Sequence, residues 1–211
     1  KSNIILNYQL GEVTFMARLL YIKANPKPYN QSLTYSLSDE FIQAYQQTHP
    51  MDDVEVLDLY QTIMPIMDYE RLSRYNQGIE TEIKQIAQQF KSYDKCIIAA
   101  PVWNHSFPAM LKVYLDNIIY RHVTFTYEEG QLVGLCSHMK VMYIKSSAQE
   151  YDGERKVLDH HQSQIKAIFS LIGLNQVEVI GLFGRKRFSQ EQLIKEVKEL
   201  QEKLKQKAEN F

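Results

Sequence analysis

The chain has 211 residues and a formal net charge of −1, from 24 basic and 25 acidic side chains. This length suits one domain with a sizeable core, and the balanced charge excludes the strongly basic surface typical of proteins that bind nucleic acids or anionic membranes. Its two cysteines, Cys96 and Cys136, lie in separate apolar stretches, and no apolar run reaches the roughly 18 residues of a membrane span, so we expect a cytoplasmic protein without a disulfide scaffold.

The first fifteen residues are interpreted as an extension. Met16 is followed at once by an apolar strand pattern, which is typical of a native start, and no signal-peptide pattern precedes it. We therefore expect a domain over residues 16–211. The extension, Lys1 to Phe15, is expected to form a short hairpin or an added edge strand and to contribute packing, not chemistry.

Short apolar segments alternate along the chain with longer segments of helical periodicity. The predicted strands are Arg18–Ile22, Val54–Leu59, Lys95–Ala100, Lys140–Lys145 and Gln176–Phe183. The predicted helices are Leu33–Thr48, Ile79–Tyr93, Ala109–Ile119, Leu158–Ile172 and Ser189–Lys207. This alternation predicts an α/β fold, a doubly wound five-stranded parallel sheet with helices on both faces. A small β-hairpin insertion is predicted at His122–Leu135, around "EEGQ".

In such a sheet, ligands bind outside the carboxyl ends of the strands, so the loops after strands one, three and four are the informative ones. The first loop has neither a triphosphate-binding nor a dinucleotide-binding glycine pattern. Its Ser32 can cap the following helix, whose first free N–H groups could bind one phosphate. The alternative that Ser32 is only a helix cap stays open.

The loop after strand three is bounded by Pro101 and Pro108, which favour a rigid, bent connector. Trp103 offers a flat apolar face, and Asn104 offers both a donor and an acceptor for a ring with polar edges. Packing of Trp103 beneath the hairpin is an alternative to stacking on a ligand. His105 is expected to be partly exposed without a chemical task.

Other polar residues have simpler interpretations. His160 and His161 are adjacent on a predicted helix, point in different directions and are expected to lie on its surface. "GRKR", Gly184 to Arg187, is interpreted as a solvated basic turn in preference to a phosphate site. The sequence has no nucleophile motif and no spaced Cys/His set, so we predict no catalytic side chain and no metal ligand.

The stretch "PVWNHSFPAMLKVYLD" with the later "VTFTY" resembles the FMN-dependent NADH-azoreductases, which are flavodoxin-like enzymes that also reduce quinones. The resemblance covers most of Met16 to Leu204. The family pattern P-M-[YW]-N-[FL] stands here as Pro101, Val102, Trp103, Asn104 and His105, and its S-[QR]-S phosphate loop stands as Asn30, Gln31 and Ser32. The resemblance implies that the first loop holds the FMN phosphate and that the second runs along the isoalloxazine ring.

The chain departs from the family pattern after strand four. The family's S-x-G-G, which approaches the pyrimidine edge of the flavin, stands here as Ser146, Ser147, Ala148 and Gln149. Ser146 and Ser147 are still expected at the flavin. If the family needs positive φ at the two glycines, Ala148 and Gln149 must adopt it at a cost or reshape the loop.

The resemblance also implies a function. The expected reaction takes hydride from NADH to FMN and then reduces a small aromatic acceptor, a quinone or an azo compound, in ping-pong order. A homodimer whose interface completes the site is implied, with the Val123–Leu135 hairpin and the Ala109–Ile119 helix near that interface. Clustered aromatic residues would suit it: Trp103, Phe107, Phe125 and Tyr127. Alternatives are a flavodoxin-like electron carrier, a flavin-free binding domain and, less favoured, an acyl carrier protein phosphodiesterase.

Overall fold

A computed structural model describes residues 16–79 and 81–211. The prediction for Lys1 to Phe15 lies outside the described residues. The main sheet contains β1 (Arg18–Lys23), β2 (Asp53–Asp58), β3 (Lys95–Ala99), β6 (Lys140–Ser146) and β7 (Val177–Leu182). A separate antiparallel hairpin contains β4 (Phe125–Glu128) and β5 (Gln131–Gly134). The predicted doubly wound sheet and its hairpin insertion are therefore confirmed.

The described residues form six α-helices, one more than the sequence predicts. They are α1 (Leu33–Thr48), α2 (Tyr69–Asn76), α3 (Glu82–Lys91), α4 (Ala109–Ile118), α5 (His160–Ser170) and α6 (Gln190–Ala208).

 The unpredicted helix is α2, which is only eight residues long and buries no side chain. Its first turn is capped by Asp68, whose carboxylate accepts from Arg71 N at 2.8 Å. The helix α3 begins at Glu82, later than predicted, because Thr81 caps it, and α4 spans Ala109–Ile118.

The sheet order is β2-β1-β3-β6-β7, and every neighbouring pair is parallel. From β1 the chain proceeds outward to β2 on one side, and β3 then starts the other half on the opposite side of β1. The direction of strand addition therefore reverses between β1 and β3. This reversal leaves a crevice at the carboxyl edge of these two strands, where the loops to α1 and α4 separate.

Alternating strand residues form two cores, one on each face of the sheet. On one face, Tyr21, Ile97 and Ile144 pack with α1 and α6. On the other, Ile98 and Tyr143 pack with side chains of α3, α4 and α5. Because the central strands are buried on both faces, they read in the sequence as short continuous apolar runs.

The hairpin is fixed by its turn and by one close backbone contact. Glu129 and Gly130 have φ of 51° and 80°, the left-handed pair that a two-residue hairpin turn requires. At the other end of the hairpin, a Cβ built on Gly134 would lie 1.9 Å from the backbone nitrogen of Gly173. Only glycine fits at this contact, which holds the hairpin against the turn after α5.

We expect Gly134→Ala to lower the free energy of unfolding by about 3 kcal/mol or more, because its methyl group would overlap backbone that cannot move independently. Urea unfolding followed by circular dichroism measures the loss. Gly130→Ala is the matched control: its added Cβ meets nothing within 4 Å, and only its φ of +80° is unfavourable, at about 1–2 kcal/mol. Equal losses in the two variants would contradict this account.

Candidate functional site

The loop between β3 and α4 contains a tight two-residue turn. Trp103 and Ser106 exchange two backbone hydrogen bonds of 2.8 Å, and the residues between them, Asn104 and His105, have φ of 49° and 64°. Asparagine and histidine are among the non-glycine residues that tolerate this left-handed region best. The turn presents both side chains at its tip, and Trp103 beside them is 39% exposed.

The loop after β6 is held by backbone hydrogen bonds on two sides. Val102 N donates to Ser146 O at 3.0 Å, and Ser147 N donates to Leu182 O at 2.8 Å. Gly184 N donates to Gln149 O at 3.0 Å. These bonds link the loops after β3, β6 and β7 into one layer beyond the ends of the strands.

The missing glycines of this loop are accommodated without strain. Positive φ outside glycine occurs at four of the described residues, and neither Ala148 nor Gln149 is among them. Positive φ at these two residues, the first of the two possibilities that the sequence leaves open, is therefore absent from the structure. The left-handed residue lies in the adjoining loop instead, at Gly184, with φ of 67°.

The loop after β1 is organised by a buried polar network. Asn25 Nδ2 donates to Ser32 Oγ at 2.8 Å, and the Tyr35 hydroxyl donates to Asn25 O at 2.7 Å. Burial is the largest cause of a rise in the pKa of Tyr35 to about 12. Ser32 Oγ also accepts from Tyr35 N at 3.2 Å, so Ser32 caps α1, as the sequence suggests.

The start of α1 also offers free donors. The first N–H groups of an α-helix have no acceptor within the helix, and those of Leu33 and Thr34 are in this position. With the helix dipole, they form a site that favours an anion. The N-cap interpretation of Ser32 is thus confirmed, and it is compatible with a phosphate at the same helix end.

Two adjoining cavities lie at this edge of the sheet and contain nine of the ten predicted site residues. The first cavity, of about 150 Å³, is lined by Asn25, Lys27, Gln31, Ser32, Leu33, Thr34, Pro101, Val102, Trp103, Ser146, Ser147, Ala148 and Arg185. The second cavity, of about 190 Å³, is lined by Val102, Asn104, His105, Ser147, Ala148, Gln149 and Tyr151. Asn30 lines neither cavity; it lies exposed in a short 3₁₀ turn, Tyr29–Gln31.

A larger cavity, of about 580 Å³, lies at the opposite edge of the sheet, beside the first residues of β6 and β7 and the C-terminal Phe211. None of the predicted site residues lines it. Ligands of open parallel sheets bind at the carboxyl edge, and this cavity lies at the amino edge. The two smaller cavities are therefore the better candidate for a functional site.

Two residues of the cavities differ from the sequence interpretation. The three basic residues of the "GRKR" turn are exposed, as a basic turn should be, but Arg185 also lines the first cavity. Its neighbour Arg187 forms an ion pair with Glu150. Tyr151, in the loop after β6, lines the second cavity, and its hydroxyl lies 3.3 Å from Nδ1 of His105.

The prediction that both adjacent histidines lie on a helix surface is wrong for His161. His160 is exposed, whereas His161 is fully buried and its Nε2 lies 2.5 Å from the equally buried Nζ of Lys145. The two side chains do point in different directions, as those of adjacent helix residues must. One of those directions is inward, and a lysine at the end of a central strand provides the polar partner.

The described residues contain no group of three or more His, Cys, Asp or Glu side chains that could hold a metal ion. Both cysteines are unpaired and buried, and burial raises the pKa of the Cys136 thiol to about 11. Within ranges 16–79 and 81–211, no helix is long and apolar enough to cross a membrane. The chemistry available at the cavities is therefore that of binding through amides, hydroxyls, cations and an indole ring.

Comparisons with known proteins identify relatives over nearly the whole chain. A family model described as a flavodoxin-like fold matches residues 17–207. FMN-dependent NADH:quinone oxidoreductase 2 of Clostridium acetobutylicum is 36% identical over 170 residues, which cover 78% of this chain and 85% of that protein. FMN-dependent NADH:quinone oxidoreductase of Clostridium perfringens is 33% identical over 172 residues, covering 79% of this chain and 86% of that protein.

Among solved structures, an FMN-dependent NADH-azoreductase of Bacillus anthracis in complex with FMN superposes with a TM-score of 0.80. It is 27% identical, and the match covers 92% of this chain and 100% of the azoreductase chain. An azoreductase from another strain of the same species has a TM-score of 0.85 at 24% identity and supports the fold. The resemblance that the sequence motifs indicate is confirmed.

We expect His161 to make folding stability pH-dependent. Burial, the largest cause, together with Lys145 lowers the pKa of His161 to about 4. Between that value and about 6.5, the unfolded chain binds a proton that the folded chain does not, so the free energy of unfolding rises with pH. His161→Gln should remove up to about 3 kcal/mol of this rise, measured by urea unfolding at about pH 4.5 and 7.

The matched control for this experiment is His160→Gln, which changes the exposed neighbour on the same helix turn. It should keep the pH dependence of the wild-type protein. If both variants showed the wild-type pH slope, His161 would not be the group responsible.

Proposed function

Because this chain belongs to the flavodoxin-like family of FMN-dependent NADH:quinone oxidoreductases, we propose that it binds FMN and uses NADH to reduce quinones or azo compounds. We assign this activity to a domain over residues 16–211, in line with the family match to 17–207. The proposal rests on one observation: the N-terminus of α1 and the loops after β3 and β6 together line two adjoining cavities.

The first cavity suits a single phosphate. The N–H groups at the start of α1 face an anion site, and Lys27 and Arg185 add positive charge at the rim. The absence of a dinucleotide glycine pattern from the sequence agrees with a mononucleotide. We therefore assign the FMN phosphate to Gln31 and Ser32 and the adjoining amides, with Asn30 at the exposed margin of the same loop.

The second cavity suits the ring of the flavin. Asn104 in this cavity can donate and accept at a polar ring edge, and Trp103 in the adjoining first cavity offers an apolar face. Pro101 and Val102 form the wall between strand and turn, with His105 at the tip. Ser146 and Ser147 close the opposite side, where Ser146 Oγ is fixed by a 2.7 Å hydrogen bond to Thr34 Oγ1.

Bound FMN would supply the redox chemistry, accepting two electrons from NADH and passing them to an acceptor. The protein's residues bind, orient and shield the reacting ring, and none of them needs to act as a nucleophile. We propose a ping-pong order because the tip of the β3–α4 turn offers one place beside the ring, which NADH and the acceptor would occupy in turn. The small volume of the second cavity supports this order.

We further propose that the chain forms a homodimer that completes the site. Both cavities are smaller than the roughly 300–1,000 Å³ usual for ligand sites, so one chain alone leaves a ligand open to solvent. Large apolar side chains are exposed in the segment after β2: Ile63, Ile66, Met67, Tyr69 and Leu72. A contiguous stretch of this kind is typical of a protein–protein interface.

A cytoplasmic location is part of the proposal. Cys96 and Cys136 are free thiols in the core, which suits a reducing compartment.

The proposal is tested by purifying the protein and releasing its cofactor by heat. We expect the absorbance of FMN in the supernatant, and NADH oxidation when menadione or an azo dye is added. A protein with no flavin that also fails to take up added FMN would contradict the proposal. Separate half-reactions, reduction by NADH and reoxidation by menadione in stopped flow, test the ping-pong order.

We expect Ser32→Asp to weaken FMN binding by at least about tenfold, because the new carboxylate would repel the phosphate at short range. Aspartate is as good a helix N-cap as serine, so the fold should be retained. Fluorescence quenching of FMN by the apoprotein measures the affinity. Ser189→Asp makes the same change at the cap of α6 and should leave FMN affinity unaltered; equal loss in both would move the phosphate site elsewhere.

We expect Ile66→Glu to weaken self-association by at least about tenfold, because it places a charge in the exposed apolar segment; Ile66 is 66% exposed in the single chain. Sedimentation velocity over a micromolar concentration range measures the dimer. Ile194→Glu, on the exposed face of α6, is the matched control and should not change the dimer affinity. A wild-type protein that is monomeric, FMN-loaded and active at micromolar concentration would contradict the dimer.

A further inference from the structure

Lys145 is a charged side chain that the proposed binding site does not use. It is the penultimate residue of β6, and it is fully buried. The next residue, Ser146, reaches towards α1 through its bond to Thr34, so strand alternation directs Lys145 to the opposite face, beneath α5. A lysine with no exposed surface at the end of a central strand requires a physical explanation.

The contacts of the Lys145 ammonium group are neutral. Nζ lies 2.5 Å from His161 Nε2 and 3.4 Å from Gln162 Oε1. It also lies 4.5 Å from the centroid of the Phe183 ring. Among the described residues no carboxylate lies within ion-pair distance of Nζ; the nearest acidic influence is Asp159, whose Oδ1 lies 3.1 Å from the other nitrogen of His161.

A buried cation without a carboxylate partner is costly to maintain. Burial, the largest cause, lowers the pKa of Lys145 to about 8, so at pH 7 the group is still mostly protonated. The imidazole of His161 is neutral at that pH, because its own pKa is lowered to about 4. The positive charge of Lys145 therefore stays inside the fold, offset only across the His161 ring by the carboxylate of Asp159.

This charge adjoins the second cavity through two routes. The ring of His161 lies 4.9 Å from the ring of Tyr151, which lines that cavity. Along the backbone, Lys145 directly precedes Ser146 and Ser147, which line the cavities on the same edge. The charge thus lies behind the wall of the proposed flavin site, separated from it by protein and not by bulk water.

Resting on the proposed function, we propose that the Lys145 ammonium group is the counter-charge for the negative charge that FMN acquires when it is reduced. NADH transfers two electrons and one proton to FMN and leaves as NAD⁺, so the ring carries one additional negative charge unless a further proton arrives from solvent. Positive charge behind the ring stabilises that state more than the oxidised one. Lys145 does not touch the reacting atoms; it acts through the field across the cavity wall.

The first test is the midpoint potential of bound FMN in the wild-type protein and in Lys145→Met, which keeps the length of the side chain and removes its charge. We expect the variant to bind reduced FMN about tenfold less tightly relative to oxidised FMN, which corresponds to a potential about 30 mV lower. The affinity of the apoprotein for oxidised FMN, measured by fluorescence quenching, should change less than about twofold. Lys166→Met removes an exposed charge from α5, the helix that contains His161, and should leave the potential unaltered.

A second test uses the wild-type protein alone, in case Lys145→Met fails to fold. Reduction should raise the pKa of Lys145 by about one unit, the equivalent of the tenfold effect, so between about pH 8 and 9 reduction draws additional proton and the potential falls more steeply, by about 30 mV in total. The groups that face Lys145 from the packed elements are His161, Asp159, Lys166, Tyr143 and Tyr151. Of these, His161 titrates near pH 4 and Tyr143 has a pKa far above its ordinary value, so neither produces a break near pH 8.

The outcomes separate this inference from the proposed function. A wild-type protein that does not bind FMN overturns both. A protein that binds FMN and reacts with NADH, but whose potential is the same in Lys145→Met and shows no steepening above about pH 8, overturns the counter-charge alone. The expected shift in Lys145→Met, without one in Lys166→Met, supports it; so does the wild-type steepening if the variant does not fold.

Discussion

The candidate site depends on backbone hydrogen bonds that continue beyond the ends of the strands. Val102 N bonds to Ser146 O, and Ser147 N bonds to Leu182 O, so the loops after β3, β6 and β7 extend the ladder of the sheet by another layer. The loops, and with them their side chains, are therefore spaced as the neighbouring strands are. Because rigid elements fix the loops, the cavity walls can be precise although most of them lie outside the helices and strands.

The sequence predicts the sheet, the hairpin and most of the site because their signals are local. Central strands are apolar runs, and two prolines bracket the loop with Trp103 and Asn104. Helix α2 was not predicted because it is short and buries no side chain, and because capping and ion pairs among Asp68, Arg71 and Glu82 help to hold it. An ion pair such as that between Arg71 and Glu82, which are 11 residues apart, leaves no signal in a local residue pattern.

The sequence predicts a surface position for His161 and a purely solvated one for Arg185, and both predictions fail for the same reason: the contacts involved join residues of different strands and helices. The partner of His161 is 16 residues away on a strand, and Arg185 reaches the first cavity because β7 lies beside β6. A near-neutral composition likewise conceals where charges lie. Two cations, Lys27 and Arg185, line the first cavity, and a third, Lys145, lies within the fold, although the chain as a whole carries a formal charge of −1.

The edge position of β2 limits how two copies of the chain can meet. Within residues 16–79 and 81–211 this strand pairs with β1 on one side only, and its six residues include Asp53, Glu55 and Asp58. Two such edges brought together would align carboxylates across the junction, and like charges placed opposite each other oppose strand pairing. A continuous ten-stranded sheet joined through two β2 edges is therefore disfavoured, so copies that associate would have to meet through other surfaces.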